Sequence, residues 1–162
     1  MQDILDWPIW YLAALAGFGL SLTALAIHDI RHGRIPNAAT YPAIAAGTVL
    51  AFVQPLGPWW SFVTAGLAAG VSIGLLAFLT GGMGFGDAKL AVVVGLLLGW
   101  PSVLVGLFAA FALGAVTGLA LTFTGRLDRG QPMPFGPALA AGALAGLLYG
   151  PAVARLLWPG IA

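Results

Sequence analysis

The feature that most constrains this chain is a set of long stretches without a charged residue. One stretch runs from Ile35 to Gly86 and another from Leu90 to Gly125. Only 7% of the 162 residues are charged and 60% are hydrophobic, whereas soluble domains carry about 25% charged residues. A soluble fold of this size cannot bury so much apolar surface. The sequence therefore predicts an all-α helical bundle in a lipid bilayer, formed as a single membrane-embedded domain over residues 1–162.

Turn signals divide the uncharged stretches into separate helices. Proline removes a backbone donor and ends the preceding helix, so the segments Gln54-Pro55-Leu56-Gly57-Pro58 and Gly99-Trp100-Pro101 each separate two crossings. Six transmembrane helices result: Ile9 to Ile27, Asn37 to Val53, Trp59 to Thr80, Ala88 to Gly99, Ser102 to Thr124, and Pro137 to Leu157. The fourth is much shorter than the roughly 20 residues that a crossing requires.

Basic residues and tryptophans predict one orientation of these six helices. Five of the basic residues fall on one side, which the positive-inside rule places in the cytoplasm: Arg31, Arg34, Lys89, Arg126 and Arg129. Only Arg155 falls on the other side. All the tryptophans lie at the opposite, outer ends, as indole prefers the membrane interface: Trp7, Trp10, Trp59, Trp60, Trp100 and Trp158. Both termini are then expected outside.

Composition also excludes several classes of function. A formal net charge of +1 gives no sign of nucleic-acid binding. With no cysteine in the chain, disulfides, thiolate nucleophiles and cysteine-ligated zinc are excluded. Asp3 and Asp6 occupy the place where a signal peptide would carry Lys or Arg, so we expect the first apolar run to be retained as a helix.

Glycines at fourfold spacing form two smooth stripes, which let helix backbones approach closely. One stripe lies in the third helix and the other in the sixth: Gly66, Gly70 and Gly74, and Gly142, Gly146 and Gly150. The plainer interpretation is tight packing inside one bundle. The alternative is a homodimer that packs along a stripe.

Two of the five acidic residues border apolar helices, and these are the candidates for chemistry. Asp29 follows the first predicted helix and Asp87 precedes the fourth, whereas Asp128 lies in a polar loop between two arginines. Ionisable groups at membrane depth are costly and usually functional. Solvated helix caps are the alternative interpretation.

The segments around these two aspartates narrow the choice. Asp87 ends a glycine-rich run that begins at Gly81 and includes Gly84-Phe85-Gly86. Its glycines permit positive φ angles and close backbone approach. Asp29 is followed by Ile35-Pro36-Asn37, where Pro36 can start the second helix.

These segments resemble the type IV prepilin peptidases, which belong to the Gly-x-Gly-Asp class of membrane aspartic proteases. Asp29 with Ile35-Pro36-Asn37 is similar to the family's first catalytic segment. Gly84-Phe85-Gly86-Asp87, continuing into Lys89-Leu90, is similar to the second. Met133-Pro134-Phe135-Gly136-Pro137 resembles the segment before the last helix of many bacterial members.

The resemblance implies an aspartic endopeptidase of a prokaryotic cytoplasmic (inner) membrane, serving type IV pili or protein secretion. Asp29 and Asp87 would activate a water, with Gly84, Phe85 and Gly86 as the active-site loop and with no metal or cofactor. The implied substrates are prepilin-like proteins, whose short basic leader is removed at the cytoplasmic face. Methyl transfer is not expected, because the paired Cys-x-x-Cys motifs of the longer members have no counterpart here.

Three alternatives remain open at this stage. His28 and His32 are spaced by four and could face one another on a helix, which suggests a metal site with Asp29. A presenilin-like protease shares Gly-x-Gly-Asp, but its Pro-Ala-Leu triplet appears here only as Pro137-Ala138-Leu139, which we interpret as coincidental. A small transporter or assembly subunit could instead use the aspartates to bind a cation or a proton. Lys89 and Arg31 lie two residues past an aspartate and are expected to face away from the pair.

Overall fold

The fold is an all-helical bundle. The computed structural model describes residues 7–81, 83–125 and 133–157, which form six α-helices and no strand. The helices are α1 (Ile9–His32), α2 (Asn37–Val53), α3 (Trp59–Thr80), α4 (Phe85–Leu98), α5 (Ser102–Phe123) and α6 (Gly136–Leu157). Four of them, α1, α3, α5 and α6, contain stretches long and apolar enough to cross a membrane. The predicted all-α fold is confirmed, and a helix is found at each of the six predicted positions. The six membrane crossings and the outside position of both termini stay predictions.

Two helix boundaries differ from the prediction in a way that matters for the aspartates. Helix α1 continues past Ile27 to His32, where Gly33 ends it with a φ of 62° and donates its N–H to the Asp29 carbonyl oxygen at 2.7 Å. Helix α4 begins at Phe85 rather than at Ala88. Capping geometry, and not the position of the first charged residue, therefore sets these helix ends. Both aspartates lie within helices.

Helix α4 is the central helix of the bundle. It packs most extensively against α3 and also contacts α2, α5 and α6. Its residues from Val93 to Leu98 are all buried, as are Leu90 and Ala91. A helix that is apolar on every side is stable when it is enclosed by others. Helix α4 therefore holds Asp87 from inside the protein.

Both glycine stripes are used inside the bundle. A Cβ at position 66 would lie 2.8 Å from Cγ of Leu96 in α4, and Gly70 faces Val92 of the same helix. In the second stripe, a Cβ at position 146 would lie 2.6 Å from Cδ1 of Leu98, and Gly150 meets Ser102 of α5. The interpretation as packing within one bundle is confirmed for both stripes.

Helix ends alternate along the bundle, so Asp29 and Asp87 share one end and the described tryptophans lie at the other. Trp100 there donates its backbone N–H to Ser61 Oγ and its indole N–H to Thr64 Oγ1, both at 3.0 Å. Arg31, Arg34 and Lys89 lie at the aspartate end. Arg155, in the last turn of α6, lies at the tryptophan end. Of the other residues in the orientation argument, Arg126, Arg129 and Trp158 lie outside the described residues, as do Asp3, Asp6 and Asp128.

Candidate active site

The two candidate aspartates are brought to the same end of the bundle from different helices. Asp29 comes from the last turn of α1 and Asp87 from the first turn of α4. Their exposed fractions are only 3% and 4%. They are close enough for the charge of Asp29 to act on Asp87. Two carboxyl groups that are buried and electrostatically coupled cannot both ionise at low cost.

Asp29 is held by the start of α6. Its Oδ2 accepts a hydrogen bond from the backbone N–H of Gly136 at 2.9 Å, across 107 residues of sequence. The N–H groups of the first helical turn have no partner within their own helix, so they are free to bind a carboxylate. A Cβ at position 136 would lie 2.8 Å from Oδ2 of Asp29. Glycine is therefore needed for this approach.

Asp87 is held by the turn that starts α4. Its Oδ2 accepts a hydrogen bond from the Gly84 N–H at 3.1 Å, and its own N–H donates to the Gly84 carbonyl oxygen at 3.0 Å. Its second oxygen, Oδ1, is buried and has no hydrogen-bond partner among the described residues. Of the two oxygens of Asp87, this is the one that no described residue binds.

The glycine-rich segment uses its glycines in two different ways. Phe85 and Gly86, which were predicted to lie in a loop, form the first turn of α4. Gly81 ends α3 with a φ of 62°, which is the conformation that glycine adopts most readily. Gly84 has an ordinary φ of −81°. At Gly86 the need is space, since a Cβ there would lie 3.1 Å from Cβ of Ile35. Phe85 between them is 63% exposed.

The Ile35-Pro36-Asn37 segment contacts the start of α4, which carries Asp87. Ile35 is buried against Gly86. Asn37 Oδ1 accepts a hydrogen bond from Lys89 Nζ at 2.6 Å, and the same ammonium lies 4.8 Å from the centre of the Tyr41 ring. The prediction that Lys89 faces away from the aspartates is therefore confirmed.

The two histidines stack, with 4.2 Å between ring centres, so the prediction that they face one another is confirmed. Nδ1 of His28 lies 3.0 Å from the Arg34 carbonyl oxygen, and Nδ1 of His32 lies 3.1 Å from the carbonyl oxygen of His28. Within residues 7–81, 83–125 and 133–157, no three His, Cys, Asp or Glu side chains come together as metal ligands. The alternative of a metal site with Asp29 therefore finds no third ligand there.

Sequence reasoning missed the contact between Gly136 and Asp29. The Met133-to-Pro137 segment entered only through its resemblance to a family, because a backbone donor leaves no signal in side-chain chemistry. The triplet Pro137-Ala138-Leu139 follows directly and therefore also lies near Asp29. Its position is accounted for by the start of α6, where Leu139 is buried and donates its N–H to the Phe135 carbonyl oxygen at 3.0 Å.

Known proteins are similar to this chain in sequence. A model of the type IV leader peptidase family matches residues 16–119. A prepilin leader peptidase/N-methyltransferase of Bacillus subtilis (strain 168) is 35% identical over 136 residues, which are 82% of this chain and 54% of the relative. A protein of the same description from Burkholderia pseudomallei (strain K96243) is 35% identical over 146 residues, which are 85% of this chain and 47% of the relative.

This chain thus spans about half the length of the curated relatives it matches. No solved structure shows significant similarity to it. The family match covers more than half of the chain, and it includes the segments that carry Asp29 and Asp87. The chain belongs to the type IV leader peptidase family.

Proposed function

We propose that this protein is an aspartic endopeptidase that removes the short basic leader of prepilin-like proteins. The observation that carries the proposal is the coupled pair of buried carboxyl groups, Asp29 and Asp87, at one end of a helical bundle. Family membership supports the same activity. The names of the matched relatives also contain an N-methyltransferase activity, and our proposal concerns peptide cleavage alone.

The chemistry follows from the shared proton of the pair. One carboxylate takes a proton from water as the water oxygen attacks the scissile carbonyl carbon. The protonated partner donates its proton to the carbonyl oxygen. When the tetrahedral intermediate collapses, the C–N bond breaks, the amine takes the proton that came from water, and the intermediate returns the other proton to the pair. No covalent intermediate with the enzyme forms.

The proposed location is a prokaryotic inner membrane, which the chain crosses six times with both termini outside and the aspartates at the cytoplasmic end. The charges of Arg31, Arg34 and Lys89 at the aspartate end support this orientation. Large apolar side chains on the outside of the bundle support contact with lipid; Phe78 of α3 and Phe108 of α5 are 74% and 76% exposed. The whole of residues 1–162 would act as one domain.

A groove of about 650 Å³ supports access for an apolar substrate helix. It lies between α1 and α2, is lined mainly by small residues such as Ala14 and Ala43, and reaches His28 beside Asp29. A helix that entered from the lipid would bring its polar end to the pair. A homodimer remains a prediction, and the two glycine stripes no longer favour it, because neighbouring helices of the same chain occupy them.

The test is cleavage of a peptide with a basic leader, a glycine and an apolar helix by the protein in lipid vesicles. We expect Asp29→Asn and Asp87→Asn each to lower kcat/KM by at least about 100-fold, the lower end of general acid–base contributions. Asp128→Asn removes an acid that the sequence predicts to lie in a polar loop and is the matched control, with full activity expected. Cleavage that survives Asp87→Asn, or that a chelator abolishes, would refute the dyad.

A further inference from the structure

The two carboxyl groups of the pair lie in different hydrogen-bonding environments. We propose that α6 holds Asp29 as the carboxylate of the resting pair through the Gly136 N–H, with Asp87 as the protonated partner, and that Phe135 packed on Gly114 fixes this contact. Gly136 is then a positioning residue of the reaction. This inference rests on the proposed function.

The first observation is the donor to Asp29. The Gly136 N–H belongs to the first turn of a 22-residue helix, α6, and lies 2.9 Å from Oδ2 of Asp29 in a buried position. A buried hydrogen bond to an ionised oxygen is stronger than one to a neutral group. The C-terminal end of α1 carries partial negative charge and disfavours the ionised form of Asp29. This effect is reduced because Gly33 caps the Asp29 carbonyl and Arg31 and His32 lie in the last turn.

The second observation is the unpartnered oxygen of Asp87. Its Oδ2 accepts from Gly84, but its Oδ1 is buried with no partner among the described residues. An ionised Asp87 would leave charge on an oxygen that no described residue stabilises, and this costs more than burying a neutral carboxyl group. A protonated Asp87 instead presents an O–H donor at this atom. That donor suits the scissile carbonyl oxygen.

The third observation explains why the Gly136 N–H stays in place. Phe135 is 5% exposed, and its ring lies 5.4 Å from the ring of Phe111 on α5, measured between centroids. The ring packs directly over Gly114, where a Cβ would clash with Cδ2 and Cε2 of Phe135. The absence of a side chain at Gly114 thus leaves the space that the Phe135 ring occupies. A methyl group at position 114 would displace the ring and, with it, the adjoining residue Gly136.

Among residues 7–81, 83–125 and 133–157, few other charges act on Asp29. Those packed near it are Asp87 of α4 and His28 of its own helix, while Lys89 of α4 is turned to Asn37. Helix α5 carries no charged residue, and the first turn of α6 carries none either. Variants at position 114 leave all these charged groups in place. Their electrostatic effects on Asp29 are therefore the same in the variant and in the original protein.

The experiment is the pH profile of kcat/KM for peptide cleavage by Gly114→Ala in lipid vesicles. Loss of the N–H donor destabilises the Asp29 carboxylate, so a higher pH is needed to form it. We expect the acid limb of the profile to shift to higher pH by about one unit, equivalent to about 1.4 kcal/mol. The pH of the alkaline limb should not change. Gly19→Ala is the matched control, because a Cβ there meets nothing within 4 Å, and its profile should not move.

Two further variants keep the outcomes distinct. Gly114→Ala/Phe135→Leu removes the clash and should move the acid limb back towards the original position, which a general loss of folding would not do. Gly136→Ala should reproduce the shift directly. An unmoved acid limb in Gly114→Ala, or a moved alkaline limb, overturns the inference while the loss of activity in Asp29→Asn and Asp87→Asn still supports the proposed function. If those two variants remain active, the proposed function itself is wrong.

Discussion

The closest backbone contact between α3 and α4 allows a quantitative test of how Asp87 is positioned. At Gly95 a Cβ would lie 2.5 Å from the Ala65 carbonyl oxygen and 2.6 Å from Cα of Gly66. Ordinary contacts begin at about 3.4 Å, so Gly95→Ala is short of space by about 0.9 Å. The neighbours are backbone atoms, which cannot rotate away. The two helices must therefore separate.

The expected cost follows from two opposing contributions. Overpacking of a core costs about 1–3 kcal/mol, and a backbone clash belongs at the upper end. Replacing a helical glycine by alanine stabilises the helix by up to about 1 kcal/mol. The net expectation is that Gly95→Ala lowers the free energy of unfolding by about 2 kcal/mol. Because α4 carries Asp87, a displacement approaching 1 Å should also lower kcat by up to about 100-fold.

Gly74→Ala is the matched control, since it lies on the same helix pair but its Cβ would meet Cβ of Ala88 at an ordinary 3.6 Å. This variant should be as stable as the original protein or slightly more stable, with normal cleavage. The assays are unfolding by denaturing detergent in mixed micelles and peptide cleavage in vesicles. Equal stability of Gly95→Ala and Gly74→Ala would show that the α3–α4 contact does not set the position of α4.

Three further predictions concern the surroundings of the pair. Lys89→Met and Asn37→Ala should each destabilise by about 0.5–1 kcal/mol through loss of one solvent-exposed, charge-assisted hydrogen bond, and a double variant no worse than either single one would confirm that they act as a pair. Gly86→Ala should reduce cleavage by crowding Ile35, and Gly86→Ala/Ile35→Ala should recover part of it; no recovery would contradict this origin. Ala43→Trp, which narrows the groove between α1 and α2, should raise KM with little change in kcat, and an unchanged KM would argue against entry through that groove.

The helices were predictable because their signals are local. Apolar stretches gave the six helices, and proline gave the breaks at Gln54-to-Pro58 and Gly99-to-Pro101, because each depends only on residues nearby in sequence. Helix ends were less predictable: the first helix was predicted to end at Ile27, yet it continues until Gly33 adopts a positive φ. Capping depends on backbone geometry, which hydropathy does not report.

The partners of the helices and of the aspartates could not be predicted in the same way. Glycine stripes indicated close packing but not that α3 would meet α4 or that α6 would meet α5. The contact of Asp29 with Gly136 joins residues 107 positions apart through a backbone N–H. Any residue except proline carries such a donor, so only the three-dimensional arrangement identifies this one.

The length of α4 is part of the same arrangement. At about 1.5 Å per residue, its 14 residues span roughly 21 Å, less than the ~30 Å hydrocarbon core of a bilayer. A helix that faces lipid would have to thin the bilayer to accommodate this mismatch, but α4 is enclosed, and Leu90, Ala91 and Val94 have no exposed surface. The thickness of the bilayer therefore does not set the length of α4. One more turn between Asp87 and Gly99 would displace the carboxyl group by about 5.4 Å, beyond the ~3 Å reach of a proton transfer, so the proposed pairing of Asp87 with Asp29 requires this short central helix.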